Sequence, residues 1–181
     1  MTNSMISRLT PFDAKTDTLN AVIETPKGLR NKFKYDVDSG LFKFDKTLPA
    51  GAKFPFDYGF IPSTLGEDGD PLDILVLMEE PTFTGCVIPA RLIGGIAAEQ
   101  TENDRTLQND RLIAVAVRTP DQDHIQEVRD LNANLLEEIE HFFASYNEME
   151  GKQFKSKGHY GAEQARERIR EGRERFQKSK A

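Results

Sequence analysis

The sequence predicts a mainly β domain with flanking helices (α+β), built as a small barrel. Short runs rich in β-branched and aromatic residues, separated by Gly, Pro, Asp and Asn, follow one another from about residue 20 to residue 118. After Pro120 the apolar residues recur at helical spacing instead. A chain of 181 residues is long enough to bury one such core, so we expect a single domain over residues 1–181.

Seven strands are predicted after an N-terminal extension of residues 1–19. In chain order they are NAVIE (20–24), FKYDV (33–37), LFKFD (41–45), FPFDYGFI (54–61), LDILVLM (72–78), CVIPARLIGG (86–95) and RLIAVAV (111–117). A turn at residues 38–40 joins the second and third strands into a hairpin. Side-chain alternation in LDILVLM puts Asp73 on the same face as Leu75 and Leu77, so this carboxylate ends an apolar row.

Two helices are predicted in the C-terminal third of the chain. Apolar residues at helical spacing from Leu131 to Tyr146 indicate an amphipathic helix over residues 130–148, with Asp130 as its N-cap. The segment of residues 161–181 is highly charged and has few apolar positions, which predicts a peripheral C-terminal helix.

The composition argues against several classes of protein. Asp and Glu outnumber Lys and Arg by 30 to 24, so general attraction to nucleic acid or to an anionic membrane is not expected. The single cysteine cannot form a disulfide within the chain. The sequence has no long apolar span, and its N-terminal residues lack the apolar region of a signal peptide. We therefore expect a soluble cytoplasmic protein that binds neither nucleic acid nor membranes.

The stretch GEDGDPLD, residues 66–73, is the strongest indication of chemistry. It places four acids within seven positions, directly before an apolar strand. Such crowding is unfavourable unless protons, Lys or Arg partners, or metal ions neutralise the charge. The spacing does not fit an EF-hand or an aspartyl-phosphate phosphatase, and the sequence has no P-loop, GxSxG or HExxH motif. A solvated acidic loop is the alternative interpretation.

The run DGDPLD resembles the Asp-x-Asp-Pro-x-Asp signature of the family I soluble inorganic pyrophosphatases. The resemblance covers about residues 20–160, and includes KYD at residues 34–36, DYGF at 57–60 and HFFASY at 141–146. It implies an OB-like closed β-barrel. It also implies Mg²⁺-dependent hydrolysis of inorganic diphosphate to two phosphates, by direct attack of metal-activated water and with several ions per site. A homo-oligomer is implied too, in bacteria often a hexamer, with the long helix and His141 at the interface.

The resemblance also implies roles for individual residues. Asp70 corresponds to the catalytic carboxylate that activates water. The implied metal ligands are Asp68, Asp70, Asp73, Glu102 and Asn109, and the implied diphosphate-binding side chains are Lys34, Lys46, Tyr58, Arg111 and Tyr146. Glu24, Asp36 and Lys152 correspond to further polar positions of the cavity.

The segment of residues 99–110 is a loop that is longer than in the family, and it leaves the choice of ligands open. Glu102 competes with Asp104 for its first acidic position. For the second position, an extended backbone turns Asn109 to the side of Arg111 and Asp110 to the opposite side, which favours Asn109. A β-bulge would select Asp110 instead.

Five positions depart from the family's usual residues: Lys46 replaces Arg, Asp36 replaces Glu, Phe54 replaces Tyr, Arg111 replaces Lys and Asn147 replaces Lys. Arg binds phosphate through a planar fork and Lys does not, so the cations around the substrate are redistributed. Two other functions therefore stay open: a diverged phosphohydrolase acting on another diphosphate or a polyphosphate, and a non-catalytic anion-binding scaffold.

Overall fold

The computed structural model of the protein describes residues 5–180, in which we find nine strands and two α-helices. The strands are β1 (Leu19–Thr25), β2 (Asn31–Asp36), β3 (Leu41–Thr47), β4 (Asp57–Phe60), β5 (Asp73–Leu77), β6 (Val87–Glu102), β7 (Arg105–Gln108), β8 (Arg111–Ala116) and β9 (Gln153–Gly161). The helices are α1 (Ala133–Glu148) and α2 (Ala162–Lys180). All seven predicted strands are confirmed, and β7 and β9 are additional.

Five of the strands form a closed, OB-like barrel. They are paired in the order β1, β4, β5, β8 and β6, and β6 pairs back with β1 to close the ring. Only β5 and β8 run parallel within this ring; the other neighbours are antiparallel. β6 continues beyond the ring, where it pairs with β7 and β9, while β2 and β3 form a separate hairpin.

The core consists of two main apolar clusters on opposite faces of the barrel strands. Leu75 and Leu77 belong to the cluster that includes Ile139 and Phe143 of α1. Ile74 and Val76 belong to the cluster that packs against α2. The predicted alternation of β5 is therefore confirmed, and each helix covers one set of barrel side chains.

The start of α1 differs from the prediction that Asp130 caps it. The N-cap is Asn132, whose side-chain oxygen accepts the Asn134 N–H at 2.9 Å. Asp130 ends a one-turn 3-10 helix, Val128–Asp130, and its carboxylate accepts the N–H groups of Gln126 and Glu127. The prediction is wrong because two cap-forming residues lie close together and Asp130 closes a reciprocal capping box with Glu127 one turn earlier.

Residues 99–110 form a β-hairpin rather than the expected loop. β6 and β7 are joined by Asn103 and Asp104, with positive φ angles of 50° and 59°. Asn and Asp tolerate this left-handed conformation better than most residues, which suits a two-residue hairpin turn. Asp104 therefore lies at the tip of the hairpin, whereas Glu102 ends β6.

The two ends of the described chain meet on the barrel. Asn20 donates its backbone N–H to Pro11 C=O, and the Arg166 guanidinium of α2 lies 4.3 Å from the centroid of the Phe12 ring. α2 packs against the barrel through Ala165, Ile169 and Gly172. Within residues 5–180, neither helix combines the length and apolar character needed to cross a membrane.

Candidate functional site

A polar cavity of about 390 Å³ lies between the β2–β3 hairpin, the extended end of β6, α1 and the acidic loop, which we define as residues 65–72. All but one of the side chains expected at the site line this cavity. They are Glu24, Lys34, Lys46, Tyr58, Asp68, Asp70, Asp73, Glu102, Asn109, Arg111, Tyr146 and Lys152. The fold thus brings together residues that are spread over more than a hundred positions of the sequence.

Asp36 is the exception and lies outside the cavity lining. Its carboxylate accepts the N–H groups of Asp38 and Ser39 at 3.0 and 3.1 Å and forms an ion pair with Lys43. The bond from Lys43, followed by the bond from Ser39, lowers the pKa of Asp36 to about 2. Asp36 therefore holds the turn of the β2–β3 hairpin.

Asp73 stands at the start of β5, where the two neighbouring strands supply its partners. Tyr58 of β4 donates its hydroxyl to Asp73 at 2.7 Å, and an Arg111 guanidinium nitrogen of β8 lies 2.6 Å from the other carboxylate oxygen. Burial and the negative charge of Asp73 raise the pKa of Tyr58 well above its usual range. The phenol therefore stays protonated and serves as a donor.

Asp68 and Asp70 belong to the acidic loop itself. Asp68 accepts the Asp70 N–H at 3.1 Å and the side-chain amide of Asn109 at 3.2 Å. Burial raises the pKa of Asp68, and the nearby charges of Asp73 and Asp70 act in the same direction. A positive charge at this position would therefore be favourable.

The three cations expected to bind diphosphate, and Lys152 as well, are each paired with an acid of the cavity. Lys34 lies 2.8 Å from Asp70 and Lys152 lies 3.2 Å from Glu102; Arg111 pairs with Asp73, and Lys46 with Glu150. In this arrangement no three His, Cys, Asp or Glu side chains of residues 5–180 converge closely enough to hold a metal ion. Lys and Arg thus neutralise the crowded acids, which is one of the three solutions that the sequence left open.

The start of β8 separates Asn109 from Asp110. Asn109 lines the cavity between Asp68 and Gln100, with hydrogen bonds to both side chains. Asp110 points to the other side, where it accepts the Ala98 N–H at 3.1 Å and the Tyr160 hydroxyl at 2.8 Å. The alternation of an extended chain accounts for this difference.

Sequence reasoning missed several residues of the cavity: Lys32, Asp45, Gln100 and Glu150. Lys32 donates to the Tyr146 hydroxyl at 2.7 Å and lies 3.5 Å from Asp45. The ammonium groups of Lys32 and Lys46 both lie 5.3 Å from the centroid of the Tyr146 ring. Lys32 has the same strand parity as Lys34, so alternation within β2 was a signal that could have found it.

Two of the departures from the family pattern have a packing role. Phe54 is 1% exposed, stacks on Tyr58 with 5.3 Å between the ring centroids, and does not line the cavity. Asn147 lines the cavity but is buried, and its side chain donates to Phe143 C=O at 2.8 Å. Phe54 therefore does not change the polarity of the cavity.

Glu24 is a buried acid at the edge of the cavity. Its carboxylate accepts the Tyr35 N–H at 2.6 Å. Burial raises its pKa from 4.5 to about 7, against the opposing effect of this hydrogen bond. Glu24 therefore changes charge near neutral pH.

The oxygen donors of the cavity fit a hard divalent cation. Asp68, Asp70, Asp73, Glu102 and Asn109 supply carboxylate and amide oxygens, which are the ligands that Mg²⁺ and similar ions prefer. Burial, together with the nearby charges of Asp73 and Asp70, raises the pKa of Asp68, and a bound cation would offset this effect. The ammonium, guanidinium and phenol donors that lie among these carboxylates suit an anion rich in oxygen.

Comparisons with known proteins agree with this chemistry. A family model described as "Inorganic pyrophosphatase" matches residues 21–177. The chain is 40% identical over 147 residues to the inorganic pyrophosphatase of Synechocystis sp., an alignment that covers 81% of this chain and 84% of the relative. The crystal structure of inorganic pyrophosphatase from Thermus thermophilus is similar with a TM-score of 0.85 and 36% identity, covering 95% of this chain and 98% of that one.

Proposed function

The chain belongs to the inorganic pyrophosphatase family, and from this we propose that it hydrolyses inorganic diphosphate to two phosphates with Mg²⁺ as its metal. The observation that carries the proposal is the cavity, which is lined by paired carboxylates and Lys, Arg and Tyr donors. Diphosphate and divalent cations carry opposite charges, so together they match both kinds of group.

Metal ions would be held by Asp68, Asp70, Asp73, Glu102 and Asn109. When bound, divalent ions neutralise phosphate charge and make a bound water more acidic. The acids are now paired with Lys or Arg, and each cation becomes available for a phosphate oxygen when its acid takes another partner. Charge balance thus favours binding of metal and diphosphate together.

The cations and phenols of the cavity bind and orient the substrate. Lys34, Lys46 and Lys152 provide ammonium donors, and Arg111 provides a guanidinium that can bind two phosphate oxygens. Arg111 is held in place by the rings of Phe143 and Phe154, whose centroids lie 4.8 and 5.5 Å from its guanidinium carbon. A rigid donor of this kind favours a single orientation of the bound phosphate.

Asp70 accepts the proton of the attacking water. Its side chain is 56% exposed, so water can reach it. The water oxygen forms a bond to one phosphorus, and the bond from that phosphorus to the bridging oxygen breaks. The electron pair leaves with the second phosphate, whose developing charge the Lys and Arg donors stabilise.

Phosphate release from diphosphate by the purified protein tests this function. We expect release with Mg²⁺, none with a chelator, and inhibition by Ca²⁺, which accepts looser coordination and acidifies bound water less. Nucleotide triphosphates and polyphosphate serve as competing substrates and should be hydrolysed much more slowly. Equal activity in chelator and in Mg²⁺, or a preference for a competing substrate, would contradict the proposal.

We also propose that the protein acts in the cytoplasm as a homo-oligomer, and that it binds neither nucleic acid nor membranes. A single free cysteine and a net charge of -6 support the compartment and the lack of polyanion binding. His141 lies on the exposed side of α1, which is the surface expected at a subunit contact. Light scattering of the purified protein would give the mass, and a monomer would contradict the oligomer.

A further inference from the structure

The acidic loop is attached to helix α2 at its first residue, Leu65. The Leu65 N–H donates to the Gly172 carbonyl at 2.9 Å, and the Leu65 carbonyl accepts from the Arg175 guanidinium Nε at 2.8 Å. Both backbone polar groups of Leu65 are therefore bonded to α2. The helix fixes where the loop leaves the barrel.

The last residue of the loop, Leu72, also contacts α2. A Cβ atom added to Gly172 would lie 2.7 Å from Leu72 Cδ1 and 3.2 Å from Leu72 Cγ. Glycine lowers the stability of a helix interior relative to alanine, but here it allows the helix and the loop to approach closely. Gly172 thus touches both ends of the segment that carries Asp68 and Asp70.

The other bonds of the loop maintain its shape and connect its middle to the strands. Thr64 accepts the Leu72 N–H at 3.1 Å and donates to Ile61 C=O at 2.6 Å, while the Gly66 N–H donates to Asp70 C=O at 2.7 Å. Glu67 accepts the Gln108 N–H at 3.0 Å, and Asp68 accepts the side-chain amide of Asn109 at 3.2 Å. The strands thus hold side chains in the middle of the loop, and α2 holds the backbone at its base.

We propose that Gly172 and Arg175 are positioning residues for metal binding, which act through Leu65 and Leu72 on the carboxylates of the acidic loop. The inference rests on the proposed function only in taking these carboxylates as metal ligands. A loop held in its binding geometry needs less ordering when the ion binds, so loosening it weakens the affinity for the ion. Neither residue lines the cavity, so they do not contact the substrate.

The test compares Arg175→Ala with Arg173→Ala, which removes the same charge from an exposed position of the same helix. Mg²⁺ alone is titrated into each full-length protein by calorimetry, in the absence of diphosphate. Loss of one backbone hydrogen bond should raise the Mg²⁺ dissociation constant of Arg175→Ala about fivefold. Arg173→Ala should match the wild type, and Arg175→Lys, which retains a donor, should recover part of the affinity.

Hydrogen exchange and melting separate positioning from general stability. In Arg175→Ala the amides of residues 65–70 should exchange faster than in the wild type, while the melting temperature stays close to that of Arg173→Ala. Gly172→Ala should weaken Mg²⁺ binding in the same direction, because the new methyl group displaces Leu72, even though alanine favours the helix.

Equal Mg²⁺ affinity in Arg175→Ala and Arg173→Ala would overturn the proposal. A lower melting temperature of Arg175→Ala with unchanged affinity would also overturn it, because α2 would then be only structural. Wild-type protein that binds Mg²⁺ but releases no phosphate would contradict the proposed hydrolysis, and the affinity comparison would still decide the role of α2.

Discussion

The two sides of the chain at the start of β8 use the same residue types for different purposes. On the back side, the single carboxylate of Asp110 accepts the Ala98 N–H, the Tyr160 hydroxyl and the Gln108 side-chain amide, and lies 3.4 Å from Arg168. On the cavity side, the neighbouring carboxylates of Asp68, Asp70 and Asp73 each have fewer donors, and burial raises the pKa of Asp68.

This difference is the one we expect between a structural acid and the acids proposed to bind metal. A buried carboxylate saturated with hydrogen bonds from fixed groups has nothing left to offer a ligand. Carboxylates with fewer donors, one of which is an exposed lysine, can exchange those partners for a metal ion or a proton. The acids of the site differ from Asp110 in how many hydrogen-bond donors they have, and not in residue type.

The largest effect is expected from Asp70→Asn on the cavity side. The amide cannot accept the proton of the attacking water, so kcat for diphosphate should fall by about a hundredfold to ten-thousandfold. Because Asp70 is exposed, the melting temperature should change little. Steady-state phosphate release and thermal unfolding of the same preparation measure both quantities. A loss of activity that tracks a loss of folded protein would count against the catalytic role.

Asp110→Ala should have the opposite effects, with lower stability and an almost unchanged kcat. Its removal leaves the Ala98 N–H and the Tyr160 hydroxyl without their partner, which should lower the free energy of unfolding by about 2–4 kcal/mol. The kcat of the protein that remains folded should stay near that of the wild type. Urea unfolding and phosphate release at low temperature measure the two quantities. A kcat as low as that of Asp70→Asn would contradict the structural role.

Glu24→Gln tests the comparison of the two sides with a different acid, because Glu24 is buried and lies on the cavity side. Its pKa is about 7 in the folded protein against an ordinary value of 4.5, so the folded state binds more protons between these pH values. Stability is therefore lost as the pH rises through this window. Glutamine does not ionise, so the variant should be more stable than the wild type by about 1–2 kcal/mol at pH 8.

The pH dependence provides the control for Glu24→Gln. Urea unfolding in chelator at about pH 8 and again at about pH 4.5 should show the gain almost entirely at the higher pH, because at the lower one Glu24 is protonated in the folded state and half protonated in the unfolded state. The same difference at both pH values would show that packing, and not ionisation, causes it.

The strands and the helical third of the fold were predictable because their signals are local. Side-chain alternation placed Asp73, Leu75 and Leu77 on one face of β5, as the core clusters confirm. β9 was missed because the sequence QFKSKGHYG is mostly polar and its pairing with β6 is set by distant residues. β7 was missed because the Asn103-Asp104 turn had to be recognised as a hairpin signal.

Most of the candidate site was predicted through resemblance, but its charge pairing was not. The contact between Lys32 and Tyr146 joins residues 114 positions apart and depends on how α1 docks beside the β2–β3 hairpin. Asp36 shares strand parity with Lys34, yet a nearby turn and Lys43 satisfy its carboxylate first. Strand parity therefore does not show whether a nearby group will bind a side chain before it can reach the cavity.

The smallest effect is expected from Asn109→Asp on the cavity side. The new carboxylate adds a negative charge beside Asp68, so divalent ions should be bound more strongly by a few fold, corresponding to about 1 kcal/mol. The Mg²⁺ activation curve of phosphate release should shift to lower concentration by the same factor. A shift to higher concentration would indicate that the amide of Asn109 is needed as a donor to Asp68.

Mg²⁺ titration of the wild type, Asn109→Asp and Asp110→Asn by calorimetry tests most directly whether the two sides of β8 differ in metal binding. The affinity should rise in Asn109→Asp and stay at the wild-type value in Asp110→Asn, whose side chain points away from the cavity. Loss of Mg²⁺ binding in Asp110→Asn, with Asn109→Asp unchanged, would show that the metal is bound on the back side and would contradict this account.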